Sequence, residues 1–132
     1  MNQPTAAAPR FDVVGIGNAI VDIIGRCDDA FLKARNLAKG GMKLIDAAEV
    51  DALQNGMKDT REISGGSVAN TTVGVASFGG KAAFIGRTAD DPVGRSFAKD
   101  IRAAGVAFDT PPTKGGAPTA RSLILVTPDG ER

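Results

Sequence analysis

The run from Gly65 to Gly105 constrains the fold of this chain more than any other segment. Gly65-Gly66 precede an almost uncharged stretch in which Val68, Ala69, Thr72, Val73, Val75, Ala76 and Phe78 form one wide apolar face at helical spacing, and Gly79-Gly80 close it. So little charge requires that helix to be well buried. Lys81 to Gly86 then predict a buried strand, and Asp90-Asp91-Pro92 introduce a helix from Val93 to Ala104 that ends at Gly105. A strand-helix-strand-helix progression argues for an α/β fold with a largely parallel sheet.

The flanking sequence adds strands. Phe11 to Gly17 is an apolar, β-prone run closed by glycines, and Asn18 to Ile24 resumes the β-branched character, which sets Asn18 and Asp22 in or beside extended chain. Asp28 to Leu37 suits a short helix with an acidic start, Met42 to Ile45 a short strand, and Asp46 the cap of a helix over 47–54 that Asn55-Gly56 stop. Val106 to Asp109 predict a further short strand. A Pro/Gly-rich loop over 110–118 leads to a strand from Ala120 to Thr127 and a turn over 128–132. Residues 1–10 read as a disordered lead and 11–132 as one unit. About three core strands are few for a sheet covered on both faces, so the sequence reads as part of a larger domain.

Composition removes several classes of function. A single cysteine, Cys27, excludes an internal disulfide framework, and with no histidine neither a Ser-His-Asp triad nor a Cys-His pair can be built. A zinc site is excluded on the same grounds. Sixteen basic against fifteen acidic side chains leave a net charge of +1, and Trp and Tyr are absent, so neither a polyanion field nor a base-stacking platform points to nucleic acid. No apolar run approaches the roughly 20 residues that span a bilayer, and Met1 to Pro9 lack the apolar core of a signal peptide. A cytoplasmic protein without a membrane partner is the expectation.

Three features could carry chemistry. Gly15-Ile16-Gly17 does not continue as a dinucleotide fingerprint, because Ile20 stands where the third glycine belongs; a tight turn, or close approach of a ligand to the backbone, remains. Gly65-Gly66-Ser67 exposes backbone N–H groups at a helix start, and Asn70, one turn in, can aim its amide at the same place, a corner suited to hydroxyls or anions. The plainer alternative there is a Gly-Gly hinge with Ser67 as N-cap. Asp22 interrupts an apolar run at a cost of several kcal/mol unless it finds donors, which sugar hydroxyls would supply. Its alternative is a strand-end carboxylate in water or on a backbone N–H.

Taken together, Gly65-Gly66-Ser67-Val68-Ala69-Asn70-Thr71, Phe78 to Gly86 and Asp90-Asp91-Pro92-Val93-Gly94 resemble the amino-terminal signature of the ribokinase/PfkB sugar kinases. Val14 to Asp22, Pro118 to Ser122 and Thr127 to Arg132 resemble the adenosine-kinase-like branch, so the likeness covers about residues 11–132. It implies a three-layer αβα core, incomplete in this chain, with a small β-sheet lid. It also implies a phosphotransferase that uses ATP and Mg²⁺ on the primary hydroxyl of a nucleoside or sugar, adenosine first, ribose or fructose as alternatives. Carried over by position, Asn18, Asp22, Gly65, Gly66, Ser67 and Asn70 line the substrate pocket, with Asp22 and Asn70 on sugar hydroxyls. Lid strands then fall near 23–26, 42–45 and 121–127, with Met42 and Leu44 over an apolar base or sugar face, and a homodimer would form through the lid.

The family's carboxy-terminal Asp-Thr-x-Gly-Ala-Gly-Asp motif, which carries the catalytic base and anion hole, occurs nowhere in the sequence. Asp90 and Asp91 read as capping residues rather than substitutes. The chain therefore reads as the substrate side and lid of a kinase, with no catalytic, nucleotide or metal residue of its own. The rival reading is a fragment that binds a ligand or partner without catalysis.

Overall fold

A computed structural model describes residues 8–132, so most of the lead expected over 1–10 lies outside the described residues. The elements are β1 (Val13–Ile16), β2 (Ile20–Arg26), α1 (Asp29–Ala34), α2 (Ala47–Gln54), β3 (Lys58–Gly65), α3 (Ser67–Ser77), β4 (Ala82–Ile85), α4 (Pro92–Ala103) and β5 (Ala120–Val126). They form two sheets. β1 and β4 pair in parallel, and a bridge from Ala83 to Ala107 extends that core sheet. The second, smaller sheet has the order β3-β2-β5, with β2 antiparallel to β3 and parallel to β5.

Three helices start on an aspartate, as the sequence predicts. Asp28, Asp46 and Asp91 each accept a hydrogen bond from the backbone N–H three residues on, at 2.7, 2.8 and 2.7 Å. Helix α3 differs: its N-cap is Gly66 and Ser67 is its first helical residue, so the expected Ser67 cap does not form.

The core lies between the β1–β4 sheet and helices α3 and α4. Phe84, Phe97 and Phe108 are fully buried with ring centroids 5.6 to 5.8 Å apart, and Ala69, Ile101 and Val106 close around them. Ala19 and Val21 belong to the same cluster, which is how the small sheet is rooted in the core. Gly15 admits helix α3 to the sheet, because a Cβ there would lie 2.7 Å from Val68 Cγ1 and 2.8 Å from Thr72 Cγ2. The other face of the core sheet is bare, with Val14, Ile16 and Ile85 at 52, 73 and 46 % exposure. Parallel strands are normally covered on both faces.

Two strand expectations need correction. Residues 42–45 form no strand: both edges of β2 are taken by β3 and β5, and between Gly41 and the Asp46 cap the segment runs irregularly. Its place in the small sheet goes to β3, which the sequence hides because Lys58, Asp59, Arg61 and Glu62 give it the charged, exposed character of a protected edge. The strand expected over 106–109 contracts to the single bridge at Ala107, held by backbone bonds of 2.9 Å to Ala82 and Phe84. Among the described residues, no helix is long and apolar enough to cross a membrane. Phe84→Ala is expected to remove about 3–5 kcal/mol of stability, since it opens a void between two other rings; urea denaturation measures it.

Candidate functional site

The three strands of the small sheet leave the core side by side. Ile20 pairs with Gly65 on one side and with Ala120 on the other, so residues 20, 65 and 120 form one row across which the chain passes three times. The predicted corner sits on this row. Gly66 adopts φ +99°, and a Cβ there would lie 2.7 Å from the Asn18 carbonyl oxygen, so only glycine lets the two crossings touch. Next to it, a Cβ on Gly65 would fall on the Asp22 carboxylate. Asn18 thus touches Gly66, and Asp22 touches Gly65. Asn70 follows one helical turn later, its backbone N–H donating to the Gly66 carbonyl at 2.8 Å.

Asp22 stands mid-strand and half-buried, with Ile63 opposite it on β3 and Ser122 on β5. Ile20, Ile24 and Ile63 share its face, together with Ser122 and Arg61. Among the described residues, no side-chain hydrogen bond or ion pair engages Asp22, and the side-chain amides of Asn18 and Asn70 are likewise free. A half-buried, unpartnered carboxylate can accept from hydroxyl donors, and an uncommitted amide can donate to hydroxyl oxygens. Gly65 and Asn70 also line a cavity of about 200 Å³ with Ile63, Ser64, Ala69 and Asp100. A larger cavity of about 490 Å³, lined by Arg95, Lys99 and Phe108 among others, uses a different face of α4 and holds none of the predicted residues.

Ser67 opens α3 beside the corner and is exposed. Met42 and Leu44 cover nothing, at 97 and 95 % exposure on the irregular segment. Sequence reading missed Ile63 and Ser122, the cross-strand neighbours of Asp22; strand alternation carried the signal, but only once β3 is known to be a strand. Several other acids are committed elsewhere. Asp90 pairs with Arg95 at 3.0 Å. Asp91 holds its proton less tightly than an ordinary carboxyl: burial raises its pKa, but hydrogen bonds from Thr119 and Gly94 and the charge of Arg121 outweigh that. Asp129 is lowered to about 2 by Lys39 and the Thr127 hydroxyl, which ties the last turn to α1 through the Lys39–Asp29 pair. Cys27 is buried, and burial first and the neighbouring Asp28 and Asp29 second push its thiol up, away from reactivity.

Comparison with known proteins gives the family and the fold. The model of the pfkB family of carbohydrate kinases matches residues 34–132. The chain belongs to that family. Adenosine kinase from Sinorhizobium meliloti superposes on this pfkB-family chain with a TM-score of 0.81 and 52 % identity, over 93 % of this chain and 38 % of that one. The α/β architecture described above is therefore the ribokinase-like one, with an incomplete core. Fructokinase-1 of Oryza sativa subsp. japonica is 41 % identical over 68 residues, 52 % of this chain and 21 % of its own length. The fructokinase of Klebsiella pneumoniae is 45 % identical over 56 residues, 42 % of this chain and 18 % of its own length. The chain thus spans about a fifth of the curated relatives it matches.

Two glycine substitutions separate the corner from the helix behind it. Gly66→Ala is expected to cost about 1–3 kcal/mol or more through its φ and the Asn18 carbonyl. Gly74→Ala, in the interior of α3 with nothing near its Cβ, is expected to gain about 0.5–1 kcal/mol. Thermal melting of the two variants reads both.

Proposed function

We propose that these residues form the substrate-binding side and lid of an ATP-dependent kinase that phosphorylates the primary hydroxyl of a furanose-bearing substrate. Adenosine is the first candidate, and fructose or ribose the alternatives. The observation that carries this reading is the corner itself: an unpartnered, half-buried Asp22 against Gly65, next to Gly66, which meets the Asn18 carbonyl and accepts the Asn70 backbone N–H. Asp22 accepts from the vicinal hydroxyls of the sugar, Asn70 serves a further one, and the absence of a side chain at Gly65 and Gly66 lets the ring lie on the backbone. Ile20, Ile24 and Ile63 offer an apolar surface to the sugar or base. The β3-β2-β5 sheet acts as the lid.

The order of candidates follows the likenesses. An adenosine kinase matches along 93 % of this chain, whereas the fructokinases match about half of it.

Mg²⁺ finds no ready ligand set in the residues described. Among them, no three Asp, Glu or Cys side chains are grouped to hold a cation, and the acids at the α4 start are consumed by capping and by Arg95. The nucleotide, the metal and the catalytic base belong, in this proposal, to residues beyond the 132, and the bare face at Val14, Ile16 and Ile85 is where further structure packs.

The test is ADP release by the full-length polypeptide over a panel of adenosine, ribose and fructose. Turnover with one of them is expected, and none with the 132-residue chain alone; no ADP release from the full-length protein on any of them contradicts the proposal. In the same assay Asp22→Ala is expected to raise KM and lower kcat/KM by about 1–3 kcal/mol, the value of a lost buried hydrogen-bonding partner. An unchanged kcat/KM removes Asp22 from the site.

A further inference from the structure

Of the three crossings between core and small sheet, two are fixed by backbone contacts. Gly17 N–H donates to the Ile85 carbonyl at 3.0 Å in the first, and Gly66 presses on the Asn18 carbonyl in the second. The third, where the chain enters β5 at Thr119-Ala120, follows a long Pro/Gly-rich loop and is held by side chains instead. Thr119 N–H donates to Asp91 Oδ2 at 2.9 Å, and the Thr119 hydroxyl donates to Asp91 Oδ1 at 2.8 Å. Ala89 N–H donates to the same Thr119 hydroxyl at 2.9 Å, and Asp91 Oδ1 also accepts the Gly94 N–H that opens α4.

One carboxylate therefore serves two elements. It caps a core helix and grips the last core residue before a small-sheet strand. Thr119 is buried to 1 % exposure, and Gly94 leaves no room for a Cβ beside Thr119 Oγ1 and Asp91 Oδ1, so the contact is enclosed. Three residues beyond Thr119, Ser122 lies in register with Asp22. The angle at which β5 leaves the core thus bears on where Asp22 stands relative to Asn70, which is fixed on core helix α3.

We propose that Asp91 is a positioning residue: through Thr119 it locks the small sheet onto the core and holds Asp22 in place against the Gly65–Asn70 side of the corner. Its effect on substrate rests on the function proposed above, but its effect on sheet orientation does not. Capping alone does not need the Thr119 contact, and a cap is available from either oxygen of an Asp or from the single oxygen of an Asn. An Asn at 91 can satisfy Gly94 N–H or Thr119 N–H, not both. Asp91→Asn therefore separates the lock from the cap.

The experiment is NMR on the 13.5 kDa chain, with residual dipolar couplings measured for β2, β3 and β5 against α3 and α4. The wild-type chain is expected to fit a single alignment tensor. Asp91→Asn and Thr119→Val are expected to need a second, weaker tensor for the small sheet, and Thr119→Ser, which keeps the hydroxyl, to return to one. A single tensor in both Asp91→Asn and Thr119→Val, even with a lowered melting temperature, overturns the proposal by reducing Asp91 to a stabilising cap. If Asp91→Asn does not fold, Thr119→Val decides alone. In the full-length polypeptide Asp91→Asn is expected to raise the KM for adenosine on the order of tenfold with little change in kcat, as for a misplaced binding group. Split tensors in a protein that turns over none of the sugars sink the functional reading and leave the lock standing.

Discussion

The structure depends on the contact of Gly66 with the Asn18 carbonyl. Two chain crossings meet there at a distance that no side chain allows, and glycine alone adopts the φ of +99° that the turn into α3 needs. From that contact follow the start of α3, the pairing of Ile20 with Gly65, and the seating of Asp22 on the bare backbone of its neighbour. The candidate site is thus a by-product of how the small sheet is tied to the core. Chemistry sits on the tie because that is where backbone is exposed and side chains are few.

The same principle sets the rigidity of the corner. Asp22 belongs to the small sheet and Asn70 to a core helix, so in the proposed reading a sugar held between them reads the relative placement of two bodies rather than one surface. Hydrophobic burial roots the small sheet through Ala19 and Val21, but burial is not directional. Direction comes from hydrogen bonds at the crossings, among them the four around Asp91 and Thr119, those from Arg87 to the Ala117 and Pro118 carbonyls, and the Ser64 hydroxyl on Asp100.

Much of this was legible in the sequence because the signals were local. Asp46 and Asp91 announce helix starts and Gly65-Gly66 a close approach; the apolar face from Val68 to Phe78 announces a helix, but not the well-buried one expected, since only Ala69 and Thr72 of α3 are buried and Phe78 is 94 % exposed. The corner residues Asn18, Asp22 and Asn70 were picked out as polar groups placed against the local pattern. What failed was non-local. β3 carries four charged residues because it is an edge, and its strand character comes from pairing with β2, 45 residues away in sequence at the Ile20–Gly65 corner, rather than from its own composition. Met42 to Ile45 has the composition of a strand and no edge to join, so Met42 and Leu44 stand in solvent. Gly15 looked like a place for a ligand to approach, and what approaches it is helix α3.

The account's central claim is that Asp22, Gly65, Gly66 and Asn70 form one sugar-binding corner. A ¹H-¹⁵N NMR titration of the chain with adenosine, and separately with fructose, tests it most directly. The account predicts that one of them shifts the backbone amides of Asp22, Gly65 and Gly66 together with the Asn70 side-chain amide, and leaves the cavity at Arg95 and Lys99 undisturbed. Shifts confined to that other cavity, or none with either sugar up to solubility, would contradict it.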